Sequence, residues 1–379
     1  MLAKNKTRTL YRRLLLPFAC LSVIIITSAC SSNSTTSSDR STQNTNAQSN
    51  DIELAVVSDF ADQVVIPTYN LLVKQAEDLN QAVNTFVSDP NDDNLKAAQQ
   101  AWIETRFPWE KSEAFAFGPA SSLGYDGDLD DWPVNETDLE AIINSSDSIT
   151  EEYVEELQTT EKGFHTIELL LFGEDNNKKA ADFTQRKLDL LKVLTSTFQQ
   201  SATDLAKSWT EGVEGNPPYR EVLATAGNDD NPAYPTVEAA VEEIVQGMLG
   251  CLDEVANEKI GEPLETKETE GLESRFSHSS LNDFQSNLQS VANAYLGEVP
   301  EANTSGKSLS DLIANNNPEL DEQVKQEIQA AIDAVSAIPA PIETKLTEAE
   351  AETTMTTAQE AIITLFTTIE EQVLPIVQG

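Results

Sequence analysis

From Asp51 to the C-terminus, apolar residues return every three or four positions, as in Leu54, Val57, Phe60, Ala61, Val64 and Val65, and again in Leu188, Leu191, Leu194, Phe198, Ala202 and Leu205. That spacing follows the 3.6-residue helical turn and places one apolar stripe on each segment. No convincing run alternates with the period of two that a half-buried strand needs, so the chain is predicted to be all-α. The stripes predict helices over 53–88, with a kink or break near Pro67, and over 91–113, 161–172, 180–212, 236–259, 279–296, 318–337 and 347–374. A long helix with one apolar stripe needs helical partners, and a bundle is the economical way to supply them. The helical pattern is interrupted by Gly212, Gly215, Pro217, Pro218, Gly227, Pro232 and Pro235. The expected architecture is two four-helix-bundle-like domains packed side by side, at 52–215 and 236–379, joined by a linker at 216–235.

Ahead of these helices the chain carries an address. Lys4, Lys6, Arg8, Arg12 and Arg13 form a basic head, Leu14 to Ile26 an apolar stretch too short for a comfortable membrane span, and Ser28-Ala29-Cys30 a small-residue site ending in cysteine. Residues 1–29 therefore read as a lipoprotein signal peptide and Cys30 as the lipidated residue, with Thr27 standing where Leu is usual. The following residues, to about 51, are almost all Ser, Thr, Asn and Gln and cannot bury enough apolar surface to order themselves, so they read as a tether. The expected location is the cell envelope, periplasmic or outer-membrane; Ser31 is not the Asp that favours inner-membrane retention. With Cys20 removed and Cys30 lipidated, Cys251 is left alone in an apolar stretch. It is predicted to be a buried small hydrophobe with no disulfide partner.

Charge narrows the partners. Asp and Glu number 64 against 24 Lys and Arg, a formal charge of −40. Nucleic acid and anionic membrane surfaces repel such a chain, whereas cations and cationic ligands suit it. Acidity alone also serves solubility and marks no site.

The chemistry concentrates around Glu161-Lys162-Gly163-Phe164-His165-Thr166-Ile167-Glu168. Glu161, His165 and Glu168 share a helix face, and an imidazole one turn from a carboxylate is a common two-ligand unit for a transition metal. The same pattern also describes an ordinary solvated His and Glu. Burial is favoured here by the apolar flanks Phe164, Ile167 and Leu169 to Phe172, and His165 is one of only 2 histidines in the chain. Upstream, Trp102, Arg106 and Glu113 fall near one stripe if the helix survives Pro108. That block reads either as core packing around a paired Arg or as a pocket with an acidic ligand.

Several chemistries lack their residues. A zinc peptidase of the familiar kind needs His-Glu-x-x-His, which is absent, and an oxygen-rich site suits iron, manganese, magnesium or calcium better than structural zinc. There is no Gly-x-Ser-x-Gly elbow, phosphate loop or dinucleotide fingerprint. Cys-x-x-Cys-His is missing, which excludes covalent c-type haem but not His165 as an axial haem ligand. Asp126 to Asp131 opens like a calcium loop, yet Asp131 replaces its Gly and Thr137 its final Glu. It reads as an acidic, capping-rich loop.

Taken together, Gly163-Phe164-His165-Thr166-Ile167-Glu168 with Leu171-Phe172-Gly173, the Trp102 to Pro119 block, Asp130-Asp131-Trp132-Pro133, and Glu273-Ser274-Arg275-Phe276-Ser277-His278 resemble the recurring segments of the imelysin-like family, with its Gly-x-His-x-x-Glu motif. The match runs in order over roughly residues 52 to 378. The resemblance implies two helical bundles with a cleft near their junction, a metal site on the motif, and an extracytoplasmic lipoprotein associated with iron uptake. The expected ligand is an iron ion, an iron chelate or haem, with another divalent metal as the alternative. His165 and Glu168 are expected as direct ligands, Glu113 as a third and Glu161 on the same face; Arg106 would anchor an anionic ligand group, and Trp102 and Trp132 would wall the pocket. The resemblance brings Glu273, Arg275 and His278 to the cleft as further candidates. The family also carries a metallopeptidase label, for which Glu168 would activate metal-bound water. A docking scaffold for a transporter or receptor is the remaining alternative.

Overall fold

The computed structural model describes residues 51–379, and the signal segment, Cys30 and the tether up to residue 50 lie outside the described residues. Helix α1 covers 51–88 and loosens into a π turn at Phe60–Val65 before continuing as Ile66–Ser88. Pro67 cannot donate a backbone hydrogen bond, and the expected kink or break takes the form of this widened turn just before it. Helix α2, Asp92–Glu110, starts where the Asn91 side chain accepts the N–H groups of Asp93 and Asn94. It passes through Pro108 and stops at Glu110, ahead of a tight turn at Glu113–Phe115. So near the helix end, Pro108 deprives only the Glu104 carbonyl of its usual donor.

The remaining long helices are α3 (Gly163–Phe172), α4 (Gln185–Thr210), α5 (Val237–Asp253, prolonged by a π stretch at Glu254–Gly261), α6 (Ser280–Leu296), α7 (Leu309–Asn316), α8 (Pro318–Ser336) and α9 (Ala349–Thr368, continuing to Gln378). The all-α expectation holds, with one small exception among the described residues: a hairpin of β1 (Glu298–Val299) and β2 (Thr304–Ser305), pairing Glu298 with Ser305 and Val299 with Thr304. Short helices at Pro119–Ser122, Tyr125–Asp130, Glu136–Asn144 and Glu151–Glu155 fill the chain between α2 and α3. They are too brief to show a periodic stripe.

Helix α1 packs on α2 and α4, with α3 against α2 and α4; α6 packs on α5 and α8, and α9 on α5 and α8. Helix α6 also lies against α2, and the Glu113–Phe115 turn sits on α5 and α6. One apolar core runs through all of these contacts, and the described residues, 51–379, fall within a single compact unit. Within 216–235, the short helix Tyr219–Ala224 buries Leu223, and Tyr234 is buried after it. Cys251 is buried, as its surroundings predicted. No helix among the described residues is long and apolar enough to cross a membrane.

Candidate functional site

Beside this core lies a buried charged cluster. Arg106 and Glu110, four residues apart on α2, form an ion pair, and Arg106 also contacts Asp130, Glu273 at 3.1 Å and Asp283 at 3.5 Å. Its guanidinium lies 4.7 Å from the centre of the Phe164 ring. Arginine suits such a place because it stays charged when buried and presents several donors in fixed directions. The second buried cation, Lys259 on the π stretch of α5, reaches Glu273 at 2.9 Å and Glu110 at 3.5 Å. Asn287 links them, its Oδ1 accepting from Lys259 at 3.2 Å while its Nδ2 donates to Glu110 Oε2 at 2.6 Å.

His165 enters from α3. The helix begins at Gly163 with φ +75°, pressed so closely on the preceding chain that a Cβ there would lie 2.5 Å from the Leu129 carbonyl oxygen. Only glycine combines that backbone with that approach. The contact brings Asp130 beside His165, with Oδ1 3.1 Å from Nε2. The pair is close but poorly aligned, so Nε2 is buried without a hydrogen-bond partner of good geometry. On the other side of the ring, Nδ1 lies 3.3 Å from Glu168 Oε2, while Glu168 Oε1 accepts the Ser277 N–H at 2.8 Å. The Trp109 indole N–H donates to Asp130 Oδ2 and fixes that carboxylate from behind.

Carboxylates outnumber cations. Glu110, Glu113, Asp130, Glu168, Glu273 and Asp283 face Arg106, Lys259 and, when protonated, His165. Burial penalises the imidazolium, but Asp130 and Glu168 outweigh it and push His165 up to about 10. Burial also acts against the charged form of Asp130, and there Arg106 and His165 prevail, holding it well below the usual carboxylate range. Elsewhere burial wins over the neighbouring cations: Asp283 is pushed up to about 7, and Glu110 and Glu113 are raised well above their ordinary values. Excess buried negative charge is relieved by taking up protons or a metal cation. Three sets offer one ligand atom per residue within 4.8 Å of one another: Asp130, His165 and Glu273; Glu110, Glu273 and Asp283; and Glu110, Glu113 and Asp130.

The structure gathers His165, Arg106, Glu113 and Glu273 at this cluster. It places Glu168 behind the imidazole, in contact with Nδ1 and not with the mixed oxygen and nitrogen set at Nε2. Glu161 lies apart from these sets, in the turn Thr159–Glu161, where its Oε2 accepts the Gln158 N–H at 2.8 Å. Trp102 is fully buried and donates to the Phe164 carbonyl at 3.0 Å, so it packs the core behind Arg106. Arg106 itself is buried and surrounded by the carboxylates of Glu110, Asp130, Glu273 and Asp283, which disfavour an anionic group beside it. Trp132 follows Asp130, half-buried. Arg275 pairs with Glu136 and, at 3.7 Å, with Glu174, and lies over the Phe276 ring. His278 occupies a turn with φ +61°.

Sequence reasoning left Asp130, Glu110, Lys259, Asp283 and Asn287 without roles. Two of the pairs had a signal: Arg106 with Glu110, and Asp283 with Asn287, are polar residues four apart on otherwise buried helix faces. Asp130 was hidden in an acidic run whose spacing sets no one carboxylate apart from the others.

A family model described as imelysin matches residues 65–369. Iron-regulated protein A of Synechococcus elongatus is 39% identical over 322 residues, covering 85% of this chain and 86% of that protein. The crystal structure of an iron-regulated protein A precursor from Parabacteroides distasonis aligns with a TM-score of 0.76 at 30% identity, over 87% of this chain and 95% of that one. An imelysin-like protein from Psychrobacter arcticum shares the fold, with a TM-score of 0.69 at 15% identity over 87% and 96% of the two chains.

Proposed function

The chain belongs to the imelysin family, and on that premise we propose that it is a lipid-anchored protein of the cell envelope that captures an iron ion at Asp130, His165 and Glu273 and passes it on for uptake. The observation that carries this reading is His165 Nε2: a buried nitrogen with no well-aligned donor or acceptor, beside Asp130 and in a ligand-sized group with Glu273, within a cluster already too rich in negative charge. Two carboxylates and an imidazole form a donor set that suits ferrous or ferric iron and manganese better than structural zinc. Glu168 would hold the ring from Nδ1, the usual arrangement for a ligating histidine, leaving Nε2 for the metal. Arg106 and Lys259 would act as resident counter-charges with which iron competes for Asp130 and Glu273. The enclosure of His165, 1% exposed among charged side chains, favours a bare ion over haem.

Hydrolysis fits less well, because Glu168, the residue needed as base, is committed to His165 and to the Ser277 N–H. Calorimetric titration of the full-length chain with Fe(II), Fe(III) citrate, Zn(II), Ca(II) and haem, beside Asp130→Asn and His165→Ala, tests the proposal. Saturable binding of an iron species that both substitutions abolish, with the circular dichroism spectrum retained, is the expected result. Iron binding unchanged in both variants would refute the site.

A further inference from the structure

On the opposite side of α2 from the charged cluster, a half-open cavity of about 250 Å³ lies between α1, α2 and the β1–β2 hairpin. Leu71, Phe107 and Val299 form its apolar lining, while Glu104, Lys111 and Glu301 provide its charged groups. Three features define what it accepts. Lys111 and Glu301 neutralise each other in an ion pair across the cavity, which leaves the Glu104 carboxylate as the surplus charge. Glu104 is exposed, and one of its oxygens accepts from Gln100 at 3.0 Å, so the other remains available. Thr68 and Gln75, also in the lining, carry no charge, so Glu104 sets the sign of the site.

We infer that this cavity is a binding site for a small organic monocation, an amine or ammonium compound whose apolar body rests on Leu71, Phe107 and Val299 and whose charged head meets Glu104. The volume lies just below the usual range of ligand pockets and suits a body the size of one aromatic ring. The Phe107 ring adds a face able to attract the cation. The chain's charge of −40 draws cations and repels anions of the same shape. The site stands apart from the iron proposal, since none of these lining residues belongs to the Asp130, His165 and Glu273 set.

The test uses three probes with one apolar body: phenethylamine, phenethyl alcohol and 3-phenylpropionate, each titrated into the full-length chain by ligand-observed magnetic resonance. The amine is expected to bind saturably, the alcohol at least tenfold more weakly, and the acid not at all. Glu104→Gln should weaken the amine about tenfold while leaving iron binding unchanged. Leu71→Trp, which fills the cavity, should abolish amine binding, with circular dichroism reporting the fold. Equal binding of amine and acid, an amine affinity indifferent to Glu104→Gln, or no binding of the amine would overturn the inference. Loss of iron binding with the amine response intact would count against the iron site alone.

Discussion

His165 meets a carboxylate at each ring nitrogen, and the two have different work. Asp130 faces Nε2 and groups with His165 and Glu273 as three ligand atoms within 4.8 Å of one another, whereas Glu168 faces Nδ1 and is itself fixed by the Ser277 N–H. Supporting partners of this kind tune a ligand without touching the metal, so Glu168→Gln is expected to weaken iron binding roughly 10–100-fold without unfolding the chain. Calorimetry on the variant checks this, and an unchanged affinity would remove Glu168 from the site. The same contacts set a pH dependence. His165 is pushed up to about 10 in the folded chain, against about 6.5 when free. Its contribution to stability is therefore complete below about 6.5 and is lost as pH rises through 10. The unfolding midpoint should fall over that interval, and fall less in His165→Gln; parallel curves for the two proteins would contradict the charged imidazole. The sequence made His165 and Glu168 legible because their spacing carries the signal. It did not separate ligand from support, which depends on which ring nitrogen meets which carboxylate, nor did it single out Asp130 from its acidic neighbours.

Among the elements, the junction of Gly163 with Leu129 sets the distance between α3 and Asp130. A Cβ at Gly163 would collide with a backbone oxygen, which has no rotamer to escape into, and φ +75° is costly for any other residue. Gly163→Ala should therefore lose about 1–3 kcal/mol of stability and move Asp130 away from His165. Chemical denaturation measures the first effect and iron titration the second; a variant as stable as the parent would show that the junction is looser than its geometry indicates. The long helices were legible because each carries enough turns to display its stripe. Pro67 and Pro108 were harder to judge, since a proline's effect depends on whether the surrounding turns can widen or are about to end. The hairpin at Glu298–Ser305 and the short helices between α2 and α3 are held by tertiary contacts and leave little periodic trace.

At the scale of the whole molecule, the cluster joins what the sequence presents as two halves. Arg106, Glu110, Asp130 and His165 come from before the Gly- and Pro-rich stretch, and Lys259, Glu273, Asp283 and Asn287 from after it. Helix spacing reports which face of each helix is buried but not which distant face it meets, so this convergence was not legible beyond the resemblance that brought Glu273 near the motif. Removing Arg106 would leave buried carboxylates without their counter-charge, and Arg106→Met is expected to cost about 3–5 kcal/mol. Because the lost contacts reach both sides of the stretch, the cost should appear as a lower midpoint of one shared unfolding transition. Iron provides the complementary test: at a free concentration of 100 times Kd, a ligand that binds only the folded state adds about 2.7 kcal/mol. If Asp130, His165 and Glu273 bind iron jointly, calorimetry should show that single transition shifting upward as a whole. Two transitions, with iron moving only one, would mean that the ligands come from one side of the cluster and that Glu273 is not among them.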